Sequence, residues 1–279
     1  MPSAALAIGA LAAAVLAAIV VPPLLRRGRR RRSLELGLPP SWQALADRAV
    51  PARAHWPATL RKRHDGLIRA LLEEKAFVGC NGFEITEDVR LTIAAQATLL
   101  LLGRPGRLYD ELLSILVYPT AFWVEDEVHD DDGLITRRRR VLSGETWESQ
   151  RLILSWEDIE ESLGTPPDGF NVVLHECAHY LEAEGGGLAT SGRERVRTID
   201  AWSAELTVEF ASFRASVDCG EDTFLDPYAA EDVSEFFAVA TEEFFERPRE
   251  LLAHHPRLYG LLEEFYAVNP GTWVGPPKR

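Results

Sequence analysis

The stretch His175 to His179, HECAH, places two imidazoles four residues apart, with a carboxylate directly after the first. Residues i and i+4 of an α-helix lie on one face, so both histidines can reach a single metal ion. Neutral imidazole is a good ligand for Zn²⁺, and Glu176 can take a proton from water that the ion acidifies. This HExxH pattern predicts a helix at a zinc site and the hydrolysis of peptide bonds.

The residues on either side of this motif favour a buried helix. Pro166 and Asp168 are helix start signals, a mostly apolar run covers 170–174, and three consecutive glycines at 185–187 end the pattern. Polar side chains are costly in such a segment unless they have partners, and a bound metal ion gives the motif one. Cys177 points away from the histidine face at helical spacing, so its predicted role is packing.

A catalytic zinc site needs a third protein ligand. Glu235 is the candidate, because it lies among apolar residues of a second predicted helix that begins at Asp232 or Ser234. The alternative is structural: with Asp232 as the N-cap, Glu235 is the third helical residue and completes a capping box. The pattern leaves these two roles open. For the other five histidines a solvated surface position is favoured: His55, His64, His129, His254 and His255.

Five segments along the chain carry a likeness that is much more specific than the zinc motif alone. They are EITEDVRLTIAAQATLLLL (Glu84–Leu102), LLSILVYPTAFWV (Leu112–Val124), VLSGETWESQRLILSWEDI (Val141–Ile159), GFNVVLHECAHYLEAEGG (Gly169–Gly186) and DPYAAEDVSEFFAVATEEFFERP (Asp226–Pro248). In this order they resemble the Mlc titration factor A family of bacterial zinc peptidases. The resemblance covers most of the chain from about Leu67 to Pro270.

The resemblance implies a zincin fold similar to the catalytic domain of anthrax lethal factor. It maps the ligands of one Zn²⁺ per chain onto His175, His179 and Glu235, and the general base onto Glu176. It also implies a catalytic role for Tyr228, seven residues before the glutamate ligand, whose phenol would donate a hydrogen bond to charge that develops in the transition state. The alternative for Tyr228 is a buried phenol with a satisfied hydroxyl.

Two further features have a functional and a structural interpretation that the sequence leaves open. Glu242 is two helical turns beyond Glu235 and would orient a ligating histidine, or it would lie on a solvated face. The segment Arg151 to Trp156, RLILSW, predicts a strand shortly before the motif. In zincins such an edge strand pairs with the extended substrate; the alternative is an ordinary half-buried strand.

Three functions are consistent with these residues. The first is a zinc peptidase acting on a peptide or protein, with an aminopeptidase-like preference implied by the resemblance. The second is a binding module, because the family is named for sequestering a transcriptional repressor of sugar uptake; the zinc site would then be secondary. The third is a structural zinc site in a membrane scaffold, which would have a closed fourth coordination position.

The N-terminus predicts a membrane anchor. Ala4 to Val21 is an unbroken run of apolar or small residues, which Pro22 to Leu25 extend, and six arginines follow within 26–32. Positive charge after the apolar run places the arginines in the cytosol. We expect a single-pass protein of the bacterial inner membrane, with the catalytic domain facing the cytoplasm. The expected division is an anchor with a basic flank at 1–32, a linker at 33–40 and a zinc peptidase domain at 41–279.

The expected fold class is α+β: a predominantly helical zincin-like domain with a small mixed sheet, preceded by one transmembrane helix. Helices are predicted at about 41–48, 59–74, 86–102, 196–215, 234–245 and 257–267, beside the motif helix. Strands are predicted at about 115–118, 121–125, 134–142 and 152–156.

The net charge argues against a nucleic-acid-binding protein, and the cysteine content argues against a disulfide-stabilised one. The formal net charge is −13 although six arginines follow the apolar run, and a body this acidic should repel nucleic acid. The run Arg137 to Arg140 is more consistent with a solvated hairpin than with a binding patch. Three widely spaced cysteines fit a reducing compartment and argue against a disulfide framework.

Overall fold

The computed structural model describes residues 24–25, 27–104, 108–120, 122–129, 135–142, 150–164, 167–183 and 193–273, with the backbone alone at 122–129, 135–142, 164 and 193–198. Within these ranges a helical segment at 27–35 comes first. The helices that follow it are α1 (Pro40–Ala49), α2 (Ala58–Glu74), α3 (Glu87–Ala97), α4 (Trp156–Gly164), α5 (Val172–Ala183), α6 (Arg193–Asp218), α7 (Val233–Glu246), α8 (Pro248–His254) and α9 (Pro256–Tyr266). A 3-10 turn, Pro227–Ala230, precedes α7. The predominantly helical α+β class is confirmed.

Two small sheets replace the single mixed sheet that we expected. Strands β1 (Ala76–Gly79), β2 (Ser114–Tyr118) and β5 (Arg151–Ser155) form a parallel sheet in the order β1-β2-β5. Strands β3 (Phe122–His129) and β4 (Ile135–Leu142) pair antiparallel as a separate hairpin. Parallel neighbours need a long crossover. Helix α3 is part of the connection from β1 to β2, and the hairpin is part of the connection from β2 to β5. Among the residues that the structure describes, the hairpin strands pair only with each other and do not join the parallel sheet.

Helices α5 and α7 pack against each other, and α5 also lies on β5. The buried side of α5 includes Leu174, Ala178 and Leu181, each at most 1% exposed. The buried side of α7 is aromatic, with Phe236 and Phe237 equally enclosed. Burial of a large apolar side chain contributes about 1.5–3 kcal/mol. The packing of these side chains therefore sets the relative position of the two helices that carry the predicted ligands.

The predicted membrane span, Ala4–Val21, lies outside the described residues. Among the helices that the structure does describe, none combines the length and the apolar character that a bilayer crossing requires. Residues 27–35 are helical, and Arg30 joins this segment to α2 through a bidentate contact with Glu74 at 2.6 and 2.7 Å. The predicted linker, Ser33–Pro40, therefore starts inside a helical segment that is attached to the body, and Ser33 is buried.

Candidate metal centre

Two helix N-termini bring the predicted ligands to one place. Asn171 caps α5, because its Oδ1 accepts a hydrogen bond from the Leu174 N–H at 3.1 Å. Asp232 caps α7, where its Oδ1 accepts from the N–H groups of Ser234 and Glu235 at 2.8 and 2.9 Å. The Asp232 half of the expected capping box therefore forms. The carboxylate of Glu235 faces the histidines of α5 instead.

The three predicted ligands lie within reach of a single ion. The Nε2 atoms of His175 and His179 are 3.1 Å apart. Glu235 Oε2 is 3.1 Å from the first of these nitrogens and 3.5 Å from the second. One ligand atom from each residue falls within 4.8 Å of the others, and in the described part of the chain this is the group of three that could hold a metal ion.

The outer nitrogen of each imidazole already has a partner. Nδ1 of His175 lies 2.8 Å from Glu242 Oε1, and Nδ1 of His179 lies 2.9 Å from Ser234 Oγ. When Nδ1 carries the hydrogen of a neutral imidazole, Nε2 has only its lone pair. Two such lone pairs and a carboxylate oxygen then face one another, which is repulsive unless a cation lies between them.

The buried oxygen of Glu235 supports the same conclusion. Glu235 Oε2 is buried and has no hydrogen-bond donor in the described part of the chain, although His175 Nε2 is close to it. The short distance therefore does not have the geometry of a hydrogen bond. A buried charge is unfavourable unless it is paired or bound to metal. Two imidazole nitrogens and one carboxylate form the donor set of many catalytic zinc sites, so these residues fit the expected ion.

The electrostatic field at the centre attracts positive charge. Burial lowers the pKa of His175, but the carboxylates of Glu235 and Glu242 outweigh burial and raise this pKa to about 10. Burial raises the pKa of Glu235, and the two imidazoles outweigh it, so that this carboxyl group has a pKa well below its usual range. The residues thus favour a cation at this position, whether it is a proton or a divalent metal.

Glu176 has the properties of a general base. It is 3% exposed, and its Oε2 has no hydrogen-bond partner among the described residues. Burial raises its pKa to about 7, and the neighbouring imidazoles of His175 and His179 oppose this shift. A carboxyl group with a pKa near the working pH can both accept and return a proton.

Tyr228 lies at the open side of the centre. Its ring centroid is 6.4 Å from that of His175. The buried alternative for this residue is wrong, since Tyr228 is 46% exposed. Burial of part of the ring raises the pKa of the phenol, and the adjacent carboxylates of Glu235 and Glu231 raise it further, so the phenol stays protonated and can donate.

The structure decides between the two alternatives for Glu242 and shows two contacts that the sequence did not reveal. Glu242 is 3% exposed and touches His175, so the solvated alternative is wrong for this residue. The sequence did not reveal that Ser234 contacts His179, because a serine so close to the start of a helix is usually interpreted as a capping residue. Neither did it reveal Asn171, whose side chain donates to Glu246 at 3.0 Å.

The expectation for His64 is wrong. This residue is fully buried on α2, where its Nε2 lies 2.9 Å from the carbonyl oxygen of Ala95. Trp56 packs edge-on against the ring at 5.2 Å, and Arg53 contacts its other nitrogen. Tertiary contacts of this kind leave no periodic signal in the sequence. His64 lies outside the candidate metal centre.

Several known proteins are similar to this chain over most of its length. A protein of unknown role from Synechocystis is 37% identical over 237 residues, which cover 84% of this chain and 86% of that protein. Mlc titration factor A of Serratia proteamaculans is 35% identical over 203 residues, 72% of this chain and 77% of that protein. Its counterpart in Klebsiella pneumoniae is 34% identical over 232 residues, 82% and 85% of the two chains. Residues 25–267 match the model of the family described as glucose-regulated metallo-peptidase M90, and this chain belongs to that family.

Proposed function

We propose that this chain is a zinc-dependent peptidase. The observation that carries the proposal is the convergence of His175 Nε2, His179 Nε2 and Glu235 Oε2. Glu176 lies on the same helix as the histidines, and its buried Oε2 has no hydrogen-bond partner among the described residues. His175, His179 and Glu235 would hold the ion. Bound zinc supplies a Lewis acid that acidifies water and polarises a carbonyl group.

The roles of the other residues follow from their surroundings. Glu176 takes the proton of the attacking water and then returns it to the leaving amine, because its raised pKa suits both steps. Tyr228 donates a hydrogen bond to the oxygen that becomes negative as the amide is attacked. Its exposure leaves the phenol accessible to a bound peptide.

A single substitution tests the peptidase assignment. Glu176→Gln should lower the rate of peptide hydrolysis by about 10²- to 10⁴-fold, the usual contribution of a general base, while the zinc content stays at one ion per chain. Glu243→Gln is the matched control, because Glu243 is equally buried but pairs with Arg247. Hydrolysis by Glu176→Gln at the wild-type rate would contradict the mechanism, and a wild-type protein without bound zinc would contradict the site.

We further propose a preference for the N-terminal residue of the substrate, as the family resemblance implies. The carboxylate of Glu231 lies near Tyr228 and is not a proposed metal ligand, so its negative charge favours a substrate that presents an α-ammonium group. A panel of aminoacyl anilides and the same sequences with acetylated N-termini tests this preference. Faster cleavage of the acetylated peptides would reject it.

A second proposal is that the chain binds a transcriptional regulator. It rests on the identity of 33–35% to several proteins named Mlc titration factor A over most of the chain. This binding does not need the proton transfer by Glu176. The Glu176→Gln variant should therefore retain the partner in a pull-down from cells while it loses hydrolysis; loss of both together would tie the partner to the active centre.

We also propose that the chain is anchored in the inner membrane by residues 4–21, with the catalytic domain in the cytoplasm. The support is the apolar run and the arginines that follow it. Arg27, Arg29, Arg31 and Arg32 are exposed on the helical segment 27–35, where anionic lipid headgroups would neutralise them. Membrane fractionation with alkaline extraction, and protease protection of spheroplasts, would detect anchoring and its orientation. Recovery of the protein in the soluble fraction would reject this proposal.

A further inference from the structure

The two histidines of the centre are held in different ways. Nδ1 of His175 meets a carboxylate directly, since Glu242 Oε1 lies 2.8 Å away. Nδ1 of His179 meets a hydroxyl, Ser234 Oγ, at 2.9 Å. The same hydroxyl lies 2.5 Å from Glu182 Oε2. The second histidine is therefore connected to a carboxylate through a serine.

The chemistry of these groups fixes the direction of both hydrogen bonds. An ionised carboxylate only accepts hydrogen bonds, so the Ser234 hydroxyl donates its one hydrogen to Glu182. The Ser234 oxygen then has lone pairs left for His179, and Nδ1 of His179 must be the donor. The hydrogen of a neutral His179 ring is thereby kept on Nδ1. Its Nε2 presents a bare lone pair towards Glu235 and His175.

We propose that Ser234 and Glu182 are positioning residues that hold His179 in the tautomer and orientation that bind the metal ion. This inference rests on the metal site proposed above. A hydrogen-bond partner behind a ligating imidazole raises the basicity of the ligand and fixes its ring, and loss of such a partner typically weakens metal binding by about 10- to 100-fold. A serine can accept from Nδ1 in this way when another acceptor takes its own hydrogen, and Glu182 is that acceptor here.

Ser234 lies directly beside a proposed ligand in the chain. Ser234 and Glu235 are consecutive residues of the first turn of α7, and Asp232 accepts hydrogen bonds from both N–H groups. One capped turn thus supplies a ligand and the group that orients another ligand. Glu182 is three residues after His179 on α5, so both lie on one face of that helix.

The competing interpretation is that the Ser234–Glu182 contact only ties α5 to α7. A second serine–glutamate pair in the chain provides a matched control, because Ser33 Oγ also donates to a glutamate, Glu73 Oε2, at 2.5 Å and far along the chain from the histidines. If the contact is merely structural, its loss should lower stability at either pair and leave the zinc affinity unchanged.

The experiment compares Ser234→Ala, Ser234→Thr and Ser33→Ala in the full chain, with the zinc dissociation constant measured by competition with a chromophoric chelator. We expect 10- to 100-fold weaker zinc binding for Ser234→Ala, binding within threefold of wild type for Ser234→Thr, which keeps the hydroxyl, and no change for Ser33→Ala. Zinc binding by Ser234→Ala within threefold of wild type, or equal losses for Ser234→Ala and Ser33→Ala, would overturn the inference. Absence of zinc from the wild type would instead reject the proposed site.

A second measurement reads the tautomer directly. Nitrogen-15 chemical shifts of His179 in the full chain with the metal removed should show a protonated Nδ1. Glu182→Ala frees the serine hydroxyl to rotate and donate to Nδ1, so this variant should bind zinc more weakly, by about 10-fold or more, although all three ligands and Ser234 remain. A His179 ring that is protonated on Nε2 in the wild type, or a Glu182→Ala variant with wild-type zinc affinity, would refute the pairing.

Discussion

Substitution of Glu242 by Gln should weaken metal binding without removing any ligand. Glu242 is buried, its Oε1 lies 2.8 Å from Nδ1 of His175, and its Oε2 accepts a hydrogen bond from the backbone N–H of Asn171. Two buried donors therefore depend on one carboxylate. A glutamine has almost the same shape, but its amide provides only one oxygen, and its NH₂ group must face one of the two donors.

Either orientation of the glutamine has a cost. If its oxygen serves His175, the N–H of Asn171 loses its acceptor, and a buried donor without a partner costs about 1–3 kcal/mol. If the NH₂ group faces His175 instead, the ring can accept from it only by moving its hydrogen to Nε2, where the metal ion would bind. Loss of the partner typically lowers metal affinity by about 10- to 100-fold, which corresponds to about 1.4–2.7 kcal/mol.

The assay measures zinc affinity by chelator competition and the free energy of unfolding in urea with the metal removed. Glu243→Gln on the same helix is the control, since Glu243 is as buried as Glu242 but pairs with Arg247. We expect the zinc affinity to fall for Glu242→Gln and to stay unchanged for Glu243→Gln. A folded Glu242→Gln protein that binds zinc within threefold of wild type would show that this carboxylate does not orient His175.

Three further predictions concern other parts of the fold. Burial and the positive charge of Arg53 lower the pKa of His64 from 6.5 to about 3. Below pH 6.5 His64 is therefore protonated in the unfolded chain but stays neutral in the folded chain. Wild type should lose about 2 kcal/mol more unfolding free energy than His64→Gln between pH 7.5 and pH 5 in urea titrations, and parallel pH profiles would contradict this. Gly66→Ala should lower the free energy of unfolding by about 1–3 kcal/mol, because a Cβ at this position would lie 2.6 Å from the backbone oxygen of Leu34. A urea midpoint equal to that of wild type would contradict this close contact. Burial raises the pKa of Cys177 to about 12, so iodoacetamide should label the exposed Cys219 first in the native protein, and equal rates would disprove the burial.

Long helices with strong signals were predictable from the sequence. The predicted helix at 59–74 is Ala58–Glu74 in the structure, and the one at 234–245 is Val233–Glu246. Both have recurrent apolar residues over several turns, and the second has Asp232 as its cap. The information needed for such elements is local, so one chain is enough to place them.

Short elements were missed because they contain too few residues for a periodic signal. Strand β1 has four residues, and helix α8 has seven, of which the first is Pro248. The predicted strand RLILSW ends one residue early, because Ser155 accepts a hydrogen bond from the N–H of Asp158 at 3.3 Å and α4 begins at Trp156. Serine followed three residues later by an acidic residue is a start signal that the alternating apolar residues had obscured.

The ligand set was predictable, and an orienting role was one of two alternatives for Glu242, but the role of Ser234 was not predicted. The spacing of His175 and His179 is a local property of one helix, and the family resemblance supplied Glu235. The contacts of Ser234 and Glu242 with the histidines bring together residues 55 and 67 positions apart. Such contacts depend on how α5 and α7 pack, which no local pattern specifies.

This arrangement links metal binding to the packing of two helices. Helix α7 supplies the ligand Glu235 and both orienting contacts, through Ser234 and Glu242, whereas α5 supplies the two histidines. A shift of α7 relative to α5 would therefore change one ligand and the support of the other two together. By the same linkage, an ion that binds only the folded chain stabilises this helix pair, by about 2.7 kcal/mol when its free concentration is a hundred times the dissociation constant. The buried aromatic side of α7 thus contributes to metal affinity although none of its side chains binds the ion, because it holds the helix at the distance from α5 that the ligands require.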